Sequence, residues 1–150
     1  MSYYSDHLSA ERLRRCYEIA PPRVQQYLEA EIQHVLTHIH PTDAVLELGC
    51  GYGRVVARLA AVARSVVGID TSAASLALAR ELLRDRPNCR LLQMDACALG
   101  LRDATFDVVV CIQNGLSAFH VDPRAVIRES LRVTRPGGCV LLSTYAERFW

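Results

Sequence analysis

There is no lysine in this chain; all 17 basic side chains are arginines. Schiff-base catalysis and the phosphate-gripping P-loop both depend on a lysine amine, so both classes are set aside. The formal net charge is only +1, which leaves no electrostatic case for a nucleic-acid groove or an anionic membrane. No apolar run approaches the ~20 residues that a bilayer requires. The opening, MSYYSDHLSAERLRR, is polar and lacks the apolar core of a signal peptide. No two of the six cysteines (Cys16, Cys50, Cys89, Cys97, Cys111 and Cys139) are spaced C-x-x-C, and most lie in apolar stretches. Reduced, partly buried thiols of a cytoplasmic protein are therefore favoured over a zinc site or a disulfide framework.

What is present is an ordinary globular composition, 51% hydrophobic and 22% charged over 150 residues. That fits one domain, 1–150, with a single covered core. Val24, Tyr27, Leu28, Ile32, Val35, Leu36 and Ile39 recur at helical spacing behind Pro22, which suits a first helical turn. A shorter helix is expected over 8–19. Strands are expected over 44–48, 65–69, 89–94, 106–112 and 139–143, the last delivered by a Pro136-Gly137-Gly138 turn. Helices are expected over 54–62, over 73–85 behind Thr71 and Ser72, and over 123–133 with Val126, Ile127 and Leu131 inward. Strands and helices thus alternate without a repeat or a linker. The expected fold is α/β: a doubly wound, Rossmann-like parallel sheet in the order 3-2-1-4-5, with helices on both faces.

The stretch VLELGCGYG, residues 45–53, ends the first strand in a glycine loop, where such sheets bind ligands. A lone G-x-G is weak, because glycine turns between strand and helix also serve packing. The dinucleotide fingerprint wants G-x-G-x-x-G, whereas the third glycine here is one residue early and Arg54 stands in its place. Glu47 would also be a poor neighbour for a pyrophosphate.

Five segments in order resemble the class I S-adenosylmethionine-dependent methyltransferases, over roughly residues 22 to 145. LELGCGYG is similar to the family's acid-x-G-x-G-x-G loop, and VVGIDTS to a second strand ending in a ribose-binding acid. LLQMDA is similar to the third strand with its adenine-side acid. FDVVVCIQNGLSAF matches the fourth strand and active-site loop, and LRVTRPGGCVLLST the helix, turn and fifth strand. The resemblance implies S-adenosylmethionine as cofactor. Gly49, Gly51 and Gly53 would admit its methionine part and ribose, with Cys50 in the same loop. Glu47 would order that loop or meet the cofactor's amino group. Asp70, followed by Thr71, would accept from the ribose hydroxyls, although a capping role is the plain alternative. Asp95 and the N–H of Ala96 would meet the adenine, with Ile112 nearby and Met94 or Ile69 flanking the ring.

Methyl transfer from a sulfonium is an in-line displacement that needs orientation and dryness, and neither a metal nor a covalent nucleophile. The loop after the fourth strand, residues 112–120, lacks the N-P-P-[YF] signature and is more like the small-molecule branch. His120 and Asn114 are the candidate catalytic or acceptor-contacting groups, though a lone histidine is more often structural. In similar enzymes an N-terminal segment, here 1–21 with Tyr3, Tyr4 and Tyr17, forms a lid. The family's sheet usually continues with a sixth strand and an antiparallel seventh, whereas this sequence stops at Trp150. The fifth strand is then an apolar edge expected to pair in a homodimer, unless the tail after Tyr145 folds over it. Two rival readings stand beside a small-molecule methyltransferase: a non-catalytic cofactor-binding module and an NAD-dependent oxidoreductase.

Overall fold

A computed structural model describes residues 10–113 and 115–144. Its core is a five-stranded sheet in the order β3-β2-β1-β4-β5. The strands are β1 (Ala44–Leu48), β2 (Ser65–Asp70), β3 (Cys89–Gln93), β4 (Phe106–Cys111) and β5 (Thr134–Leu142), and every pairing is parallel. The expected order is therefore borne out. The helices are α1 (Glu11–Glu18), α2 (Pro22–Leu36), α3 (Arg54–Leu59), α4 (Ala73–Leu82), α5 (Gly115–Ala118) and α6 (Pro123–Val133). Several ends fall short of the sequence expectation; α3 stops at Leu59 rather than 62, and α4 at Leu82 rather than 85.

Side chains on a strand alternate between faces, and the core divides accordingly. Val45, Val66, Val108 and Val110 pack with Ile32 and Val35 of α2, Val56 and Leu59 of α3, and Leu76 and Ala79 of α4. Leu46, Leu48, Ile69 and Val109 pack on the other side with Val126 and Val133 of α6. Every residue of β4 is buried, as expected of a largely apolar strand covered on both faces.

Two expectations need correction. The inner face of α6 is Val126, Ser130 and Val133, while Ile127 and Leu131 are exposed at 36% and 61%. Ser130 can be buried because its hydroxyl donates to the Val126 carbonyl at 2.7 Å, which removes the cost of an unpaired polar group. The Pro136-Gly137-Gly138 turn does not precede β5; it is an excursion inside it. Phe106 pairs with Thr134 and Val108 with Cys139, so the register jumps between them. Gly138 must be a glycine there, because a Cβ would lie 2.6 Å from the Asp107 carbonyl oxygen. Asp107 itself ties three strands at one end of the sheet: it accepts the Ala44 N–H at 2.6 Å and pairs with the Arg135 guanidinium.

Among the described residues β5 pairs with β4 alone. Tyr3, Tyr4 and the tail from Tyr145 lie outside the described residues.

Candidate active site

Winding reverses at β1, with β2 on one side and β4 on the other. The carboxyl ends of these strands open on a cavity of about 510 Å3, a size suited to a small molecule. Its wall includes Glu47, Gly49, Cys50 and Gly51 from β1 and its loop, and Asp70 and Thr71 from β2. Asp95 and Ala96 come from beyond β3, and Ile112 and His120 from beyond β4. Met94 and Ile69 also line it. Asn114 lies outside the described residues.

Gly49 and Gly51 have φ of 71° and 52°, a region L side chains avoid. That backbone lets the loop turn back on β2. The Cys50 N–H donates to the Ile69 carbonyl at 2.8 Å, and the Gly51 N–H to Asp70 Oδ2 at 2.8 Å. Asp70 Oδ1 accepts the Ser72 N–H at 2.8 Å; Ser72 is the N-cap of α4, its hydroxyl accepting from Ser75 N. Burial raises the Asp70 pKa, and these N–H bonds oppose the rise. Each carboxylate oxygen still has accepting capacity toward the cavity. Gly53 is absent from the wall. A Cβ on it would meet Ala79 and Leu83 at 3.1 and 3.2 Å, so this glycine lets α3 and α4 approach. Arg54, the next residue, lines the cavity.

Glu47 points from the α3 side of β1. It is 4% exposed. One interaction with the Val56 backbone N–H favours its charge, while Oε2 has no hydrogen-bond partner. Burial pushes its pKa up to about 8, with Arg54 opposing and Asp70 adding to the rise. A buried, unpartnered oxygen of this kind is costly unless a donor meets it.

Arg54 completes this wall. Its guanidinium lies 4.3 Å from the centre of the Tyr17 ring, within cation–π range, and donates to Gln113 Oε1. Gln113 is anchored in turn: its Nε2 donates to the Leu28 carbonyl at 3.2 Å and its backbone N–H to Ser143 Oγ at 3.0 Å. Its φ of 60° is strained for a non-glycine residue. Sequence reasoning missed this Tyr17–Arg54–Gln113 group. The available signal was a cation placed at the first position of a helix, where the backbone does not favour positive charge.

Across the cavity Asp95 Oδ1 accepts the Cys97 N–H at 2.8 Å, an Asx turn. Beyond β4 the wall is apolar, with Ala118, Phe119 and Val121 flanking His120, whose φ is 51°. The thiols beside Glu47 are inert: burial pushes Cys111 up to about 12 and Cys50 higher still. Three carboxylates thus face the strand ends. They suit a ligand that brings hydroxyls or an amine. Among the described residues no group of three or more His, Cys, Asp or Glu is arranged to hold a metal ion.

A family model described as a methyltransferase domain matches residues 45–138. The chain belongs to this family. The resemblance to class I S-adenosylmethionine-dependent methyltransferases is thereby confirmed. The chain is 30% identical over 140 residues to the 2-methyl-6-phytyl-1,4-hydroquinone methyltransferase of Synechocystis sp., covering 85% of this chain and 42% of that protein. The [4+2]-cyclase SpnF superposes with a TM-score of 0.68 at 30% identity, over 77% of this chain and 45% of SpnF. Phosphoethanolamine N-methyltransferase 1 of Haemonchus contortus, solved with phosphoethanolamine and S-adenosylhomocysteine, superposes with a TM-score of 0.69 at 25% identity, over 92% and 29%. The chain thus spans less than half the length of each of these three proteins. None of its helices, among the described residues, is long and apolar enough to cross a membrane.

Proposed function

We propose that this chain binds S-adenosylmethionine in the cavity at the ends of β1 to β4 and transfers its methyl group to a small-molecule acceptor. The observation that carries the reading is the convergence of Glu47, Asp70 and Asp95 on one cavity beside a glycine loop. Asp70 serves the ribose hydroxyls, Asp95 and Ala96 the adenine, and Glu47 the amino-acid end. The apolar stretch around Phe119 and His120 receives the acceptor; His120 takes a proton when the acceptor arrives protonated. Near-neutral charge favours a small acceptor over a nucleic acid. The six unpaired cysteines suit the cytoplasm. Residues 1–150 act as one cofactor-binding domain, with α1 as a cover over the glycine loop and the β5 edge as a site for pairing with a second copy.

The test is a thermal-shift series with S-adenosylmethionine, S-adenosylhomocysteine and NAD. A ligand that binds the native state alone raises its midpoint by mass action. The two adenosyl compounds should shift it and NAD should not; a shift with NAD alone would overturn the reading. A second reading, a cofactor-binding unit without methyl transfer, is favoured by the likeness to a cyclase, since one fold hosts different reactions. Transfer of labelled methyl to a panel of phenols and amines separates the two.

A further inference from the structure

The last turn of α2 brings together two histidines that the cavity does not use. His34 and His38 are both exposed, and side chains four residues apart share one face of a helical turn. The turning continues past the end of α2, where the His38 N–H donates to the Val35 carbonyl at 2.9 Å. The two rings therefore meet, with centroids 4.7 Å apart and planes inclined at 62°. The chain runs on from this turn into the amino end of β1, whereas the cavity opens at the carboxyl end of that strand.

The hydrogen bonds of the turn decide which nitrogen of His38 carries its proton. His38 Nδ1 lies 2.9 Å from the His34 carbonyl oxygen, which can only accept. Nδ1 also lies 3.1 Å from Thr37 Oγ1, whose single proton already goes to the same carbonyl at 2.7 Å. Nδ1 is thus the N–H, and in the neutral ring Nε2 keeps its lone pair. A backbone carbonyl that holds one imidazole nitrogen leaves the other aimed and ready to ligate, as in metal-bound histidines. The ring of His34 has no hydrogen bond among the described residues, so it can turn a lone pair to the same point. The carboxyl end of the helix adds partial negative charge there.

We propose that His34 and His38 form a two-imidazole site for a divalent late first-row transition ion (Ni2+, Cu2+ or Zn2+), with water in the remaining positions. Imidazole is a ligand that these ions share, whereas Mg2+ and Ca2+ take oxygen. Two histidines at this spacing on one helix face also chelate zinc in metalloprotease sites. No third His, Cys, Asp or Glu joins them among the described residues, so the ion stays open to solvent and exchange. Neither histidine lines the cavity, and the site is independent of the cofactor reading. The pair exists only while the turn is folded, so the ion stabilises the native chain by mass action.

The test is calorimetric titration of the reduced 150-residue chain with NiCl2, alongside its melting midpoint with and without the ion. The native chain should bind one Ni2+ at this pair and melt higher in its presence. His34→Ala and His38→Ala should each weaken binding by about tenfold or more, because one imidazole is left to hold the ion alone. Cys16→Ser and His40→Ala remove an exposed thiol and a neighbouring exposed histidine. Each should leave the affinity within about twofold, as expected of groups outside the site. Circular dichroism confirms that each variant is folded; His34→Gln and His38→Gln repeat the comparison should an alanine variant not fold. A loss in only one of the two histidine variants, or an equal loss in Cys16→Ser or His40→Ala, would overturn the pair. So would the absence of binding at millimolar ion.

Discussion

Asp70 Oδ2 accepts the backbone N–H of Gly51 at 2.8 Å across nineteen residues of sequence. The same carboxylate that faces the ligand space therefore also fixes the glycine loop against the end of β2. Loop shape and ligand contact are inseparable at this residue. Asp70→Ala should lower affinity for S-adenosylhomocysteine by about tenfold or more, from the loss of hydrogen bonds to a charged group at roughly 1.5–3 kcal/mol each. It should also lower the melting midpoint of the ligand-free protein, because Gly51 and Ser72 lose their acceptor. Titration calorimetry and thermal denaturation read the two effects; unchanged affinity would reduce Asp70 to a loop anchor.

Glu47 predicts opposite pH trends with and without ligand. Its folded pKa, about 8, stands above the ordinary 4.5. A group raised in the folded state stabilises below its unfolded pKa and loses that contribution as pH rises through the folded one. Ligand-free stability should thus fall from this group between pH 4.5 and 8. Binding of a cationic amine needs the ionised form, so affinity should rise over the upper part of that window. Arg54, Asp70, Cys50 and Cys111 are the titratable or charged groups that interact with it. Glu47→Gln should flatten both trends, as measured by melting and binding from pH 6 to 8.5; trends that persist in this variant would assign them to another group.

Gly53→Ala separates packing from ligand contact. The new Cβ would sit 3.1 Å from Ala79 at a φ of 90°, costing roughly 1–3 kcal/mol from strain and overpacking. Urea denaturation should show that loss. Affinity for S-adenosylhomocysteine, measured where the variant is fully folded, should change little. A large affinity loss at normal stability would return Gly53 to the ligand wall.

The face of α6 gives a second stability test. Val126→Ala empties a fully buried site and should cost roughly 2 kcal/mol. Leu131→Ala, on the exposed side, should stay within about 0.5 kcal/mol. Equal effects would mean that α6 is rotated from the orientation described.

The β5 edge predicts association. Sedimentation of the isolated chain should show a weight that grows with concentration, since a strand bonded on one side invites another. A monomer at high concentration, with amides of residues 139 to 143 protected from exchange, would mean that the edge is covered.

The sheet was legible because its order follows from five apolar strands interleaved with helices, and β1 and β4 are apolar enough to require the centre. The inner face of α6 was not legible. Val126, Ile127, Leu131 and Val133 offer two overlapping apolar stripes, and the choice turns on Ser130, whose self-satisfied hydroxyl allows burial. The excursion in β5 depends on how closely Gly138 nears the Asp107 carbonyl, a tertiary fact. At the site, the acids and the loop could be read in order along the chain. Tyr17, Arg54 and Gln113 come from α1, α3 and the loop after β4, and only folding brings them together.

Glu47 stands next to the carboxyl end of the central strand with one oxygen unmatched. Replacement by Gln or Leu would remove a buried ionisable group with an unmatched oxygen, and such changes commonly raise melting temperature. A laboratory selection for heat resistance alone would therefore strike Glu47 early and return hardy variants with poor chemistry. Screens for robust versions of this chain need a ligand-binding gate at every round.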